Sequence, residues 1–232
     1  MNLKQRSNEE ELMDDLDASG EVINQTLKEL EVINRLLGGN QVTTNGLARL
    51  LKGIAHDQTL TIADLGCGGG DIMKLMAQWA RKWGIDVEII GFDANPHIID
   101  YAEANCKGFD NIRFEVQDIF SEQFKARQFD VICCTLFTHH FTDQSLINIF
   151  HQFKQQARIG TVINDLHRHW FAYHSIKLLT QVFSKSPMVQ YDAPLSVARS
   201  FRRADLAGIM KKAGIEQFDL KWMWAFRWQL LF

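Results

Sequence analysis

The spacing of apolar residues divides the chain into two regimes. In the first fifty or so residues, "EVINQTLKELEVINRLLGG" carries Ile23, Leu27, Leu30, Ile33 and Leu37. Steps of three and four residues make this the stripe of an amphipathic helix. Gly38 and Gly39 then end it. "TTNGLARLLKGIA" predicts a second, shorter helix. From residue 61, short apolar runs alternate with helical patterns. "TIADLGC", "VEIIGFD", "IRFEVQD", "FDVICCTLF" and "TVINDLH" predict five strands. The fourth is almost wholly apolar, as expected of a strand covered on both faces. Between them, "DIMKLMAQWARKWG" predicts a helix with Ile72, Leu75, Met76, Trp79 and Trp83 on one face and Gly84 as its stop. "NPHIIDYAEANC" predicts another, with Asn95 as N-cap and Pro96 at the first helical position. "TDQSLINIFHQFKQQARIG" predicts a third, begun by Thr142 or Asp143 and stopped by Gly160.

Strands alternating with helices imply right-handed crossovers and a doubly wound α/β sheet, mostly parallel. The end differs. After the helix "RRADLAGIMKKAG", no helix fits between "IEQFDLKWMW" and "FRWQLLF". These two predict an antiparallel hairpin at one sheet edge. Trp222, Trp224 and Trp228 read as cover for the sheet beneath a helix rather than as a ligand cage. "FSKSPMVQYDAPLSVARSF" has two prolines and no periodicity, which predicts a loop.

Composition narrows the classes. A chain of 232 residues builds a core without disulfides or metals. Its net charge is −3, with no basic block, which disfavours a nucleic-acid partner. Cys67, Cys106, Cys133 and Cys134 form no CxxC, so we expect reduced thiols and a cytoplasmic protein. The opening "MNLKQRSNEEELMDDLD" is too polar and acidic for a secretory signal, and no apolar run reaches transmembrane length. A monomer or a homodimer is expected.

The chemistry starts at "DLGCGGGD", Asp64 to Asp71, where the first strand meets the first crossover helix. Ligands of doubly wound sheets bind at such points. A triphosphate site needs GxxxxGK[ST], which is absent here. A dinucleotide site needs GxGxxG. Gly66 and Gly68 fit, but the third glycine position holds Asp71. Two bracketing carboxylates repel phosphate and suit a cationic, donor-rich ligand.

The pattern D-x-G-x-G-x-G, Asp64 to Gly70, resembles the first motif of the class I S-adenosylmethionine-dependent methyltransferases. The resemblance covers roughly residues 45 to 232. It extends through "GFDANP", "QDIF", "FDVICCTLFTHHF" and the two-strand end. It implies a Rossmann-like seven-stranded sheet with an N-terminal helical lid over residues 1–54. The methyltransferase domain would then span 55–232, with a substrate-side insertion around 168–200. It further implies S-adenosylmethionine as methyl donor and S-adenosylhomocysteine as product, with no metal. The residues implied to hold the cofactor are Asp64, Gly66, Cys67, Gly68, Gly70, Asp71, Asp93, Ala94, Gln117, Asp118, Ile119 and Thr135. Asp93 would hold the ribose hydroxyls and Asp118 the adenine amine. Asp71 either accepts from the cofactor's amino group or caps its helix.

Methyl transfer to an alcohol or phenol needs a base facing the sulfonium. His139 and His140 follow the fourth strand, and His167 and His169 the fifth. Histidine, with an ordinary pKa of about 6.5, suits that task. Two adjacent histidines should not both face the cofactor, so one of His139 and His140 is expected to be structural. His139, His140 and His167 are therefore the candidate catalytic residues, and Arg168 and His169 the candidate acceptor contacts. Arg35 reads as a cation at a helix C-terminus rather than a cofactor contact. "NDLHRHWFAYHSIKLLT" resembles methyltransferases of polyketide and phenolic-lipid pathways. That implies O-methylation of a small hydroxylated aromatic or quinol-like acceptor. The alternatives are C-methylation of a quinone or polyketide carbon, a protein methyltransferase, and a cofactor-binding protein without catalysis.

Overall fold

The computed structural model describes residues 2–54 and 58–232. Strands β1 (Leu60–Leu65), β2 (Val87–Asp93), β3 (Ile112–Val116), β4 (Phe129–Thr135), β5 (Ala157–Leu166), β6 (Asp219–Met223) and β7 (Arg227–Leu231) form one sheet. The spatial order is β3-β2-β1-β4-β5-β7-β6. Pairing is parallel from β3 to β5, and β7 lies antiparallel between β5 and β6. This is the expected doubly wound seven-stranded sheet. The chain runs from β1 outward to β3, then returns to the other side of β1 with β4. The carboxyl ends of β1 and β4 therefore diverge and leave a crevice between the loops that follow them.

Helices α1 (Gly20–Leu36) and α2 (Gln41–Leu50) precede the sheet. Helices α3 (Asp71–Trp83), α4 (Pro96–Asn105), α5 (Glu122–Lys125) and α6 (Asp143–Gln156) alternate with β1 to β5. Helices α7 (Trp170–Phe183), α8 (Pro187–Arg199) and α9 (Arg203–Lys212) lie between β5 and β6. One apolar core packs Leu47 of α2 and Met73 and Met76 of α3 on one sheet face. The other packs Phe150 and Phe153 of α6 and Met210 of α9 on the opposite face. A smaller cluster joins Ile23 and Leu27 of α1 to Ile98 of α4 and Met188 of α8. Local signals behave as their chemistry requires. Asn95 Oδ1 accepts from the His97 amide at 2.8 Å, and Thr142 Oγ1 from the Ser145 amide at 3.2 Å. None of the described helices is long and apolar enough to cross a membrane.

Four expectations are corrected. The segment expected as a loop contains helix α8. Pro187 stands at its first turn, where the missing N–H costs nothing, and Ser186 caps it. Pro194 sits inside the helix; burial of Val189, Leu195, Val197 and Ala198 outweighs its lost hydrogen bond. Helix α6 ends at Gln156, not Gly160, and passes directly into β5. Gly160 lies within the strand, because a side chain there would approach the Phe232 carbonyl to 2.9 Å. Trp83 lies outside the apolar face of α3, with 64 % of its surface exposed. Of the three C-terminal tryptophans, only Trp228 is core; Trp222 and Trp224 are exposed. The end of the second predicted helix at Ala55, and the boundary placed after residue 54, touch residues outside those described.

Candidate active site

A cavity of about 1700 Å³ opens over the carboxyl ends of β1, β2, β4 and β5. One half of its wall is the glycine loop and the strand ends beside it. Gly66, Cys67, Gly68, Asp71, Asp93, Ala94, Gln117, Asp118, Ile119 and Thr135 all line it. Gly70 and Asp64 do not. The loop glycines serve different needs. A side chain on Gly66 would collide with the Phe137 ring at 2.1 Å, so internal packing excludes it. At Gly68, with φ +51°, the nearest atom to such a side chain is 4.0 Å away, on Leu27. That side chain would instead occupy the cavity, so Gly68 leaves a cradle that a ligand can fill.

The electrostatics of this half are acidic. Asp64 is buried, its Oδ1 has no hydrogen-bond partner, and its pKa is pushed up to about 8 by burial and by Asp93. Asp93 is raised by burial, although the amides of Asn95 (3.1 Å) and Gly68 (3.4 Å) donate to it. Asp71 is raised by burial and by Glu31, against the nearby Lys74 ammonium at 3.3 Å. It does not cap its helix; Asn105 donates to it at 3.0 Å. Carboxylates held above their usual range gain from a positively charged ligand and lose from a phosphate.

The other half is built from side chains distant in sequence. Asp165, near the end of β5, is buried. Its Oδ1 accepts from His139 Nδ1 at 2.7 Å, and its Oδ2 from Thr138 Oγ1 at 2.6 Å. Burial opposes the charge of Asp165, but His139 and these hydrogen bonds hold its pKa well below the carboxylate range. It is therefore an acceptor, so Nδ1 of His139 donates a proton toward it. His139 Nε2 has no hydrogen bond; 3.6 Å away is Glu11 Oε1, also buried and also without one. Burial pushes Glu11 up to about 7 against the charges of His140 and Arg199.

Glu11 arrives on an N-terminal strap docked by polar contacts. Arg6 donates to the carbonyls of Arg199 (2.7 Å) and Phe141 (2.9 Å). The amides of Leu12 and Met13 donate to the Asp192 carboxylate at 2.8 and 3.1 Å. Asp14 accepts from His140 Nδ1 and from Arg199 Nη1, both at 2.5 Å. Contrary to expectation, His139 and His140 both line the cavity, with ring centroids 4.3 Å apart. Glu11, His139 and His140 each offer a metal-ligating atom within 4.8 Å of the others. Arg199 Nε lies 3.7 Å from the same Glu11 oxygen, and this guanidinium already supplies the positive charge a metal would bring.

The other expected residues do not reach the cavity. His167 accepts from Trp222 Nε1 at 3.2 Å and packs on the hairpin. Burial and neighbouring His169 push its pKa down to about 4. Arg168 is buried on the far side of the β5 end, where it donates to the Ser200 carbonyl at 2.5 Å and pairs with Asp205 at 3.0 Å. His169 caps α7, accepting from the Phe171 amide, and stacks on Phe226. All three sit in the turn between β5 and α7, against the hairpin edge. Arg35 is exposed, as its helix-end reading expects.

The sheet order, the glycine cradle at its switch point and the acids at successive strand ends together decide the kinship. A protein-family model described as a methyltransferase domain matches residues 56–193. The chain belongs to this methyltransferase family. Among curated relatives, an uncharacterized methyltransferase of Emericella nidulans is 35 % identical over 82 residues, which is 35 % of this chain and 27 % of the relative. The carboxy-S-adenosyl-L-methionine synthase of Helicobacter pylori is 32 % identical over 82 residues, 34 % of this chain and 32 % of the relative. The chain thus spans between about a quarter and a third of the length of these relatives. Its fold is shared with human N-acetylserotonin methyltransferase in complex with S-adenosylmethionine. There the TM-score is 0.66 at 16 % identity, covering 97 % of this chain and 59 % of that one. It is shared also with a plantazolicin methyltransferase in complex with S-adenosylhomocysteine, at a TM-score of 0.57 and 18 % identity, covering 86 % and 82 %.

Proposed function

We propose that this methyltransferase moves a methyl group from S-adenosylmethionine to a hydroxyl of a small, largely apolar acceptor, with His139 as general base. The observation that carries the reading is the His139–Asp165 pair, aimed into the same cavity as the glycine cradle. The residues present fit the cofactor. Gly68 leaves the space, and the lining acids Asp71, Asp93 and Asp118 suit a ligand with an ammonium and a sulfonium but no phosphate. Asp93 would hold the ribose hydroxyls, and Asp118, with Gln117 and Ile119, the adenine. Bound there, S-adenosylmethionine supplies an electrophilic methyl on an excellent leaving group.

The chain's own task is then to align the acceptor oxygen, exclude water and take its proton. Phe171, Ile176, Leu179, Trp224 and Phe226 give the acceptor side an apolar wall. Asp165 fixes the His139 tautomer and favours the imidazolium that forms. Glu11 covers Nε2, so the hydroxyl enters as the strap carrying Glu11 shifts. Once the strap has moved aside, a hydroxyl oxygen at Nε2 gives that orphaned atom its partner. The strap and α1 act as the lid of the site.

Calorimetry with S-adenosylmethionine tests the foundation. Micromolar-range binding is expected, weakened about 10- to 100-fold by Asp93→Ala through the loss of charged hydrogen bonds. An unmodified chain that binds no S-adenosylmethionine sinks the reading.

A further inference from the structure

Arg227 begins β7 and is 3 % exposed, yet it lines the cavity. Its guanidinium lies flat on Gly39. A side chain at that glycine would stand 2.7 Å from Nη2 and 2.9 Å from Cζ, so glycine is what makes room for it. Its one hydrogen bond among the described residues is from Nη2 to Asn34 Oδ1, at 2.9 Å. The other two buried arginines among the described residues are each matched by an acid. Arg199 pairs with Asp14 at 2.5 Å and Arg168 with Asp205 at 3.0 Å. Arg227 forms no such pair among the described residues.

The one carboxylate whose charge reaches it is Asp165. That carboxylate is already saturated. It accepts from His139 Nδ1 (2.7 Å), the Leu166 amide (2.7 Å), Thr138 Oγ1 (2.6 Å) and the His139 amide (3.0 Å). It attracts Arg227 through space without satisfying its N–H donors. A buried guanidinium with unused donors is costly unless an anion completes it, and its planar fork matches a carboxylate. The acid-rich remainder of the cavity disfavours a doubly charged phosphate.

We infer that Arg227 is an anion anchor that binds a carboxylate of the ligand filling this cavity. The inference rests on the methyltransferase reading. A carboxylate can come from two sources here, the acceptor or the methionine tail of the cofactor, and Arg227 binds either by the same chemistry.

Titration calorimetry separates the sources. In the first arm, the protein saturated with S-adenosylhomocysteine is titrated with 3,4-dihydroxybenzoate and with its methyl ester. The acid is expected to bind at least tenfold tighter than the ester. Arg227→Met should erase the difference, and Arg227→Lys, which keeps the charge but loses the fork, should restore part of it. Gly39→Ala, which displaces the guanidinium without removing it, should weaken the acid selectively and covers the case in which Arg227→Met does not fold. In the second arm, S-adenosylhomocysteine is compared with 5′-methylthioadenosine, which lacks the amino-acid tail. A tenfold advantage that disappears in the Met and Ala variants assigns the anchor to the cofactor. If neither arm shows a carboxylate-dependent difference that Arg227 controls, whether the pairs bind alike or not at all, the inference is overturned. If the unmodified chain binds no S-adenosylhomocysteine, the methyltransferase reading falls instead, and the acid–ester comparison on the free protein still decides the role of Arg227.

Discussion

The two halves of the cavity are made by different means. The glycine-loop half is built from backbone: a turn with a left-handed glycine, and acids at the ends of β1, β2 and β3. Each part is fixed by a few neighbouring residues. The half facing it is built from side chains of five segments. Glu11 and Asp14 come from the strap, His139 and His140 from the turn after β4, Asp165 and Arg227 from β5 and β7, and Arg199 from α8. A ligand common to many proteins can be held by backbone geometry. An individual ligand needs particular side chains, and those come from wherever the fold places them.

Substitutions that disable one half and spare the other test this division. The largest effect is expected at His139. His139→Ala should lower turnover by roughly 10²- to 10⁴-fold, the usual worth of a positioned base. Its S-adenosylmethionine affinity, measured by calorimetry, should not change. Asp165→Asn should reproduce much of that loss through the tautomer, again with cofactor binding intact. A parallel loss of cofactor affinity in either variant would mean that the halves are not separable.

Glu11 gives a smaller, pH-dependent effect. Its folded-state pKa is raised from 4.5 to about 7, chiefly by burial. The folded protein therefore holds a proton that the unfolded chain releases between these values. The stability it contributes is full below pH 4.5 and is lost as pH rises through 7, by up to about 3 kcal/mol. Glu11→Gln should flatten this part of the profile in urea titrations at pH 5 and 7.5. The difference between the two proteins isolates Glu11, because Asp64, also raised by burial, titrates in both. A difference that does not vary with pH would show that Glu11 does not hold that proton. At the small end, His169→Ala should leave turnover within about twofold, since His169 caps α7 outside the cavity. A tenfold loss would put the turn after β5 back into the site.

The same division decides what the amino-acid sequence reveals. The glycine loop, Asp93 and Asp118 are readable because their meaning lies in short-range order: a glycine after a strand, an acid at a strand end. Asp165 is visible only in retrospect, as a carboxylate in a buried apolar strand, and Arg227 likewise as a cation in "FRWQLLF". Glu11 sits in the acidic run "NEEELMDD", where nothing local separates it from its solvated neighbours. Helix α8 was hidden for another reason. Its prolines are local breakers, and the apolar burial that overrides them depends on packing against α7 and against the strap and α1, the last two far away in the chain. His167, Arg168 and His169 show the converse. Their clustering in sequence looks like chemistry, and tertiary packing turns all three away from the cavity.

The docked strap has a consequence for how the protein is made. Glu11 meets Ser196, and Asp14 meets Arg199, across 185 residues of chain. A ribosome releases the strap well before α8. Strands β1 to β5 and the glycine cradle lie between them in the chain and can form while the strap still waits for its partners. Contacts of such long sequence separation are the slowest to close. Being polar and near the surface, they should also be the first to reopen. The nascent chain thus has its glycine cradle well before the opposite wall of the cavity.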